Sequence, residues 1–304
     1  MPTPIHRTPR ARLFRNTPVH HGKSHKHLVV CRANGEFVKH VNPHDIGELL
    51  VENEHFVWLD LQDPQPNDIT LLREEFGFHP LAIEDATRTH ERPKIDSYNT
   101  YYFLVFYCIG YDTTRDQLTP QAINLFIGKN YLVSVHHGAM PVIDETIKRW
   151  QANQAEFANN VGALLDAIVD DYFPVIDQLA ERVERIEEQI FEHYDEQALQ
   201  EVFQLKRDLL NLRRIVAPER DVLNILIRRE VPLFERDIIQ YLQDVYDHVI
   251  RITDSIDTYR DLLSSALDAF LSVQSNRLNQ VVKILTIASI VLMSNALIAG
   301  IYGM

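Results

Sequence analysis

The sequence predicts an α/β domain followed by long α-helices, the last of which continues from water into a membrane. Three observations carry that reading. From His27 to about His137 the chain falls into short β-branched and aromatic runs broken by turn residues. From Met140 onward apolar residues recur at helical spacings instead. The final 21 residues, Ile284 to Met304, carry no charge. As a helix rising about 1.5 Å per residue they extend roughly 31 Å, the thickness of a bilayer's hydrocarbon core.

Taken in order, residues 1–27 are rich in Pro, Arg and His without apolar periodicity, and read as a disordered basic arm. His20, His21, His25 and His27 within it are either part of a flexible tail or a group able to hold a transition metal. Residues 28–139 form the α/β domain. Its expected strands are Leu28–Val30, Phe56–Leu61, Tyr101–Tyr107, Ile123–Ile127 and Tyr131–Val135, with short helices at Asn67–Phe76 and Pro80–Thr87. Residues 140–232 form a helical region, with helices expected over Ile143–Phe157, Val161–Phe173, Val175–His193 and Gln197–Arg229. The third carries Ile176, Leu179, Val183, Ile186 and Ile190 on one face, and the fourth Leu205, Leu209, Leu212 and Val216. Pro174 is tolerated near a helix start, and Pro218 marks a break or bend. No proline follows Pro232 and no glycine falls between Gly162 and Gly300, so Leu233–Met304 reads as one helix. It divides into a stalk over 233–283 and a membrane segment over 284–304. At about 105 Å it needs partners, which an oligomeric bundle supplies.

The net charge of −13 is uneven: residues 1–41 hold eight Lys/Arg against one acid, leaving the remainder near −20. An acidic body argues against nucleic acid as the main partner and admits cations. Asp247, Asp254, Asp261 and Asp268 are spaced by sevens, with Asp244 and Asp257 one turn from members of the row. Sevens stay near one helix face. The row is either a solvated acidic stripe or a set of oxygen ligands that gathers hard divalent cations from several packed helices. Cys31 and Cys108 have no metal-ligand spacing and form no disulfide framework, so a reducing compartment is the default. The basic N-terminus lacks the apolar core of a secretory signal. Residues 1–283 are therefore expected in the cytosol, and Arg277 and Lys283 beside the span fit the positive-inside rule. An enzyme is not expected: there is no P-loop, nucleotide fingerprint or nucleophile elbow, and Asp247 and His248 are neighbours in sequence rather than partners on one face.

Three stretches resemble a known family. They are His79-Pro80-Leu81-Ala82-Ile83-Glu84-Asp85 with Glu91-Arg92-Pro93-Lys94-Ile95; Asp170-Asp171-Tyr172-Phe173 with Leu205-Lys206-Arg207 and Asp244-Val245-Tyr246-Asp247-His248; and Lys283-Ile284-Leu285-Thr286 leading to Ile298-Ala299-Gly300-Ile301-Tyr302-Gly303-Met304. Over roughly residues 50–304 the chain resembles the CorA family of divalent-cation channels, which includes the zinc transporters called ZntB. That resemblance implies a homopentameric funnel in the cell's inner (plasma) membrane, with the N-terminal domain cytoplasmic. The selectivity filter would begin at Tyr302, Gly303 and Met304, because the family signature is Gly-Met-Asn, usually after Tyr. The sequence stops one residue short of that Asn, before the outer loop and second transmembrane helix, and reads as a chain cut inside its signature.

The pore stripe implied by the resemblance is Asn279, Val282, Leu285 or Thr286, Ser289, Met293, Ala296, Gly300 and Gly303. Its steps of three and four keep one face, its small residues allow close approach, and Val282, Leu285 and Met293 suit a dewetting gate. Ser294 stands where the family often has Pro, so a kink there is weaker or absent. Asn295 and Ala296 also depart from the common pattern. The implied regulatory metal residues are Asp85 and Asp244, with Glu84, Asp166 and Asp170 as neighbours. Mg2+ bound between subunits would remove carboxylate repulsion and hold the funnel closed, so that low cytosolic Mg2+ opens it. Three functions follow as expectations: a Mg2+ channel with Co2+ and Ni2+ as further cargo, a zinc transporter favoured by the His-rich arm, and a membrane-anchored scaffold without transport.

Overall fold

The computed structural model describes residues 25–32, 34–38, 41, 46–51, 55–88, 92–153, 160–192, 196–228 and 236–303. Its strands are β1 (His25–Arg32), β2 (Phe37–Val38), β3 (His55–Gln62), β4 (Lys94–Ser97), β5 (Tyr102–Asp112), β6 (Gln117–Ile127) and β7 (Tyr131–His136). They form one sheet in the order β2-β1-β3-β7-β6-β5-β4. Only β3 and β7 pair in parallel; the other neighbours are antiparallel. The expected mixed sheet is present, together with two short strands, β2 and β4, that the sequence patterns did not reveal. One boundary moves: His25, Lys26 and His27, expected in the arm, belong to β1 and pair with Gln62, Leu61 and Asp60. His20 and His21 lie outside the described residues.

The helices are α1 (Ile46–Val51), α2 (Pro66–Glu74), α3 (Pro80–Thr87), α4 (Pro141–Ala152), α5 (Asn160–Asp170), α6 (Tyr172–Glu192), α7 (Glu196–Ile227) and α8 (Arg236–Tyr302). Strand register sorts them onto the two sheet faces. Trp58, Asp60, Leu132, Ser134, Leu125 and Ile123 share one face, where Trp150 of α4 meets the Trp58 ring. Asn124 and Phe126 point the other way. Phe78 stacks on Phe126 at 4.1 Å, and Asn124 donates to the Ala86 carbonyl of α3 at 3.1 Å. Cover on both faces is why all six residues of β7 are buried.

Two compact units divide the chain: residues 1–176 with 210–254, and residues 177–209 with 255–304. The second unit packs three helical segments. Leu179, Val183, Ile186 and Ile190 of α6, Ala198, Val202, Leu205 and Leu209 of α7, and Ile256, Leu263, Ala266 and Phe270 of α8 are buried. Arg182 lies 3.6 Å from Asp208, and Lys206 donates to Ser264 at 2.7 Å.

In the first unit, α7 passes through Pro218 without the expected break. The next residue explains what anchors it there. Glu219 is fully buried and accepts the Tyr107 N–H at 3.0 Å. Tyr172 Oη stands 3.1 Å from both Glu219 oxygens and 2.5 Å from the Tyr107 carbonyl oxygen. A carbonyl only accepts, so the one phenol proton of Tyr172 is shared between the Tyr107 carbonyl and the Glu219 carboxyl. Glu219 thus accepts from both tyrosines. Burial pushes its carboxyl well above the usual range, against the hydrogen bonds from Tyr107 and Tyr172. Its titratable neighbours, Tyr172 and Cys108, bring no positive charge.

A carboxyl raised in the folded state stabilises fully below its unfolded value and loses that contribution as pH rises through the folded value. Glu219→Gln keeps both hydrogen bonds without a titrating proton, and is expected to flatten the loss of thermal stability as pH rises above the ordinary glutamate range. Glu219→Ala removes the acceptor of the Tyr107 N–H and should cost about 2–3 kcal/mol at acid pH and less as pH rises. Thermal melts of both variants across pH measure the difference.

Candidate functional site

Two sets of carboxylates sit where helices end. α3 starts at a cap: the His79 ring accepts the Leu81 N–H at 3.2 Å, and Pro80 takes the first helical position. That fixed start places Glu84 and Asp85 in the last turn, where the helix's own carbonyls already add negative potential. Each acid has a cation. Arg88 pairs with Glu84 one turn on. Lys94 of β4 reaches Asp85 at 2.7 Å and Asp96 at 3.0 Å. Burial works against the Lys94 ammonium, but the hydrogen bonds to Asp85 and Asp96 outweigh it and hold its pKa above that of an ordinary lysine.

The second set lies at the C-terminal end of α5. Asp166 and Asp170 are one turn apart, and ligand atoms of Asp166, Asp170 and His248 all lie within 4.8 Å of one another. His248 Nδ1 is 3.5 Å from Asp170 Oδ1. That is an ion-pair distance without hydrogen-bond geometry, and the buried Nδ1 has no hydrogen-bond partner. Burial, then the charge of Asp170, pushes the Asp166 carboxyl up; Asp244 adds to this, while His248 and Arg149 oppose it. Two crowded carboxylates, an unpaired imidazole nitrogen and a helix C-terminus fit a cation. The oxygens suit Mg2+ and the nitrogen suits Co2+, Ni2+ or Zn2+ better.

The structure thus brings Asp166 and Asp170 together and keeps exposed Asp244 within electrostatic reach of Asp166. Among the described residues this is the one group of three or more potential ligands, and neither Asp85 nor Glu84 belongs to it. Sequence reasoning missed His248 as a member. It set His248 against its neighbour Asp247, whereas the usable signal is the step of four from Asp244 to His248, which puts both on one face of α8. Lys94 was also missed as the counterion of Asp85. The heptad acids Asp247, Asp254, Asp261 and Asp268 are all exposed within one chain.

The far end of α8 is different in kind. Phe270 is its last buried residue, and residues 274–301 are all exposed. Asn279, Val282, Leu285, Met293, Ala296 and Gly300 lie along this part, with Leu285 66% and Met293 70% exposed. The hydroxyls are satisfied inside the helix: Thr286 donates to Val282 O, Ser289 to Leu285 O and Ser294 to Ile290 O, each at 2.8 Å. At Ser294 the helix continues unbroken. It ends at Tyr302, where Gly303 adopts φ +71°, the left-handed closure that glycine permits. Met304 lies outside the described residues. Among the described helices, α8 is the one long and apolar enough to cross a membrane.

Comparison with known proteins agrees with this architecture. Residues 53–304 match the family described as CorA-like Mg2+ transporter protein. The chain is 35% identical over 253 residues to the cobalt/magnesium transport protein CorA of Thermotoga maritima, covering 81% of this chain and 72% of that one. Among solved structures, the complete CorA magnesium transporter from Methanocaldococcus jannaschii has a TM-score of 0.75 at 20% identity, covering 91% of this chain and 86% of that one. The ZntB cytoplasmic domain from Vibrio parahaemolyticus gives 0.59 at 16% identity, with 73% and 88% covered; at such identities the likeness is one of fold. The chain belongs to the CorA-like Mg2+ transporter family.

If His248 supplies the nitrogen ligand, His248→Ala should weaken Co2+ binding on the order of tenfold while changing Mg2+ binding little. Calorimetric titration of each metal checks the split; equal losses for both would remove His248 from the ligand set.

Proposed function

We propose that the chain is a subunit of a homopentameric channel for Mg2+, with Co2+ and Ni2+ as further cargo, in the inner (plasma) membrane with its N-terminal domain in the cytosol. The observation that carries this reading is the end of α8: a charge-free helical segment, exposed throughout, in a chain of the CorA-like family. Residues 284–304 form the first transmembrane segment, 233–283 the stalk, and the sheet and helices before them the cytosolic body. Asn279, Val282, Leu285, Met293, Ala296 and Gly300 line the pore. Tyr302, Gly303 and Met304 open the filter, whose carbonyls face a hydrated ion. Movement is downhill, with about 2.3 kcal/mol per charge for each 100 mV of membrane potential.

Closure is by Mg2+ held between cytosolic domains of adjacent subunits. Asp85 and Asp244 are the principal ligands, with Glu84, Asp166 and Asp170 beside them. Carboxylates brought face to face by oligomerisation repel, and a divalent ion between them reverses the sign of that interaction. Loss of the ion then favours the open state only by its differential affinity for the closed one. The crowding of Asp166, Asp170 and Asp244 supports this reading, since it already works against ionisation of Asp166 within a single chain.

Transport of zinc is the second reading. The His248 nitrogen among the carboxylates favours it, because an imidazole suits a softer ion. Flux into liposomes tests both, using the protein carried through the Asn and second span that the family resemblance implies. Mg2+ influx that falls when Mg2+ is present on the cytosolic face, and no longer falls in Asp85→Asn with Asp244→Asn, is the expected result. Zinc flux without Mg2+ flux would establish the second reading, and flux of neither ion would leave a membrane-anchored scaffold.

A further inference from the structure

Lys94 is half-buried on β4, and its ammonium lies between two carboxylates, 2.7 Å from Asp85 Oδ2 and 3.0 Å from Asp96 Oδ2. The strand fixes its backbone, with Lys94 opposite Val105 of β5. Its Nζ is 5.6 Å from the centre of the Phe103 ring. The charge is therefore tethered where a metal ion would approach Asp85, and its strengthened basicity keeps it protonated across the physiological range.

We propose that Lys94 is a built-in competitor for the divalent cation at Asp85, and that Asp96 is the place to which its ammonium withdraws when the cation binds. The inference rests on the reading of Asp85 as a regulatory metal ligand and adds what sets its threshold. With Nζ on Asp85, an arriving Mg2+ meets a carboxylate already neutralised and a positive charge beside it. A hydrated Mg2+ needs that oxygen, directly or through a water, and so must displace the ammonium. Displacement breaks one of two contacts, because Asp96 keeps hold of Nζ. A tethered cation competes at high effective concentration without leaving the site. The pair Lys94–Asp96 thus raises the Mg2+ level at which the clamp closes, without itself ligating the metal.

Lys94→Met keeps the stem over Phe103 and removes the charge. The purified full chain in detergent is titrated with Mg2+, and the half-saturating concentration is read from the rise in melting temperature. Lys94→Met should lower that midpoint about fivefold, the range of a single partly exposed ion pair. Asp96→Asn, which leaves the ammonium to Asp85 alone, should raise it. A merely structural Lys94 would change the melting temperature without Mg2+ but not lower the midpoint. A midpoint unchanged or higher in Lys94→Met overturns the proposal. Should that variant not fold, Asp96→Asn decides, and a midpoint unchanged or lower there overturns it. Asp85→Asn separates the two levels. If it leaves the midpoint in place, Asp85 is not a regulatory ligand and the competition falls with it. If it shifts the midpoint while Lys94→Met does not lower it, only the role of Lys94 is wrong.

Discussion

The constraint on which everything else depends is that α8 outgrows its own chain. It is a single helix from Arg236 to Tyr302, about 100 Å at the usual rise, yet its buried residues stop at Phe270. Beyond that point Leu278, Ile284, Leu285, Leu292 and Met293 are each more than half exposed. So much apolar surface is stable only against lipid or other copies of the same helix. The backbone agrees with this demand. Thr286, Ser289 and Ser294 of the charge-free segment hydrogen-bond within the helix, and Gly303 closes the helix where the signature begins.

The part of the chain before the apolar end of α8 is organised around a second constraint, negative charge at helix ends. Asp85 in the last turn of α3 and Asp170 at the last residue of α5 both add negative charge at the negative end of a helix dipole. The two are treated differently. Asp85 has a lysine already seated on it, whereas Asp170 and Asp166 have the imidazole of His248 between them. On the proposed reading the first arrangement sets a threshold and the second supplies an attraction for the cation. Glu219 sits apart from these. It is a buried acid that holds α7 to Tyr107 of β5 and Tyr172 of α6.

Much of this was legible in the sequence because it rests on periodicity. The five strands with unbroken β-branched or aromatic runs were found, as were the helices from α2 onward, since burial patterns repeat along them. β4 was not, because Lys-Ile-Asp-Ser has only one apolar residue and is held as an edge strand by β5. The two-residue β2 is likewise fixed by pairing with β1. Of the break or bend expected at Pro218, the break does not occur, because helix breaking is a local rule that the packed helix overrides. At the candidate site, residue types were legible but partnerships were not. Lys94 meets Asp85 across a loop, and His248 meets Asp170 from a helix far along the chain, so neither contact leaves a spacing in the sequence.

The most direct measurement is the native mass of the chain in detergent, with Mg2+ and with EDTA. An α8 that needs copies of itself predicts a species of five chains that resists dilution in Mg2+ and loosens in EDTA. A single chain at every concentration, indifferent to Mg2+, would contradict both the need of α8 for like partners and the ion that is proposed to join them.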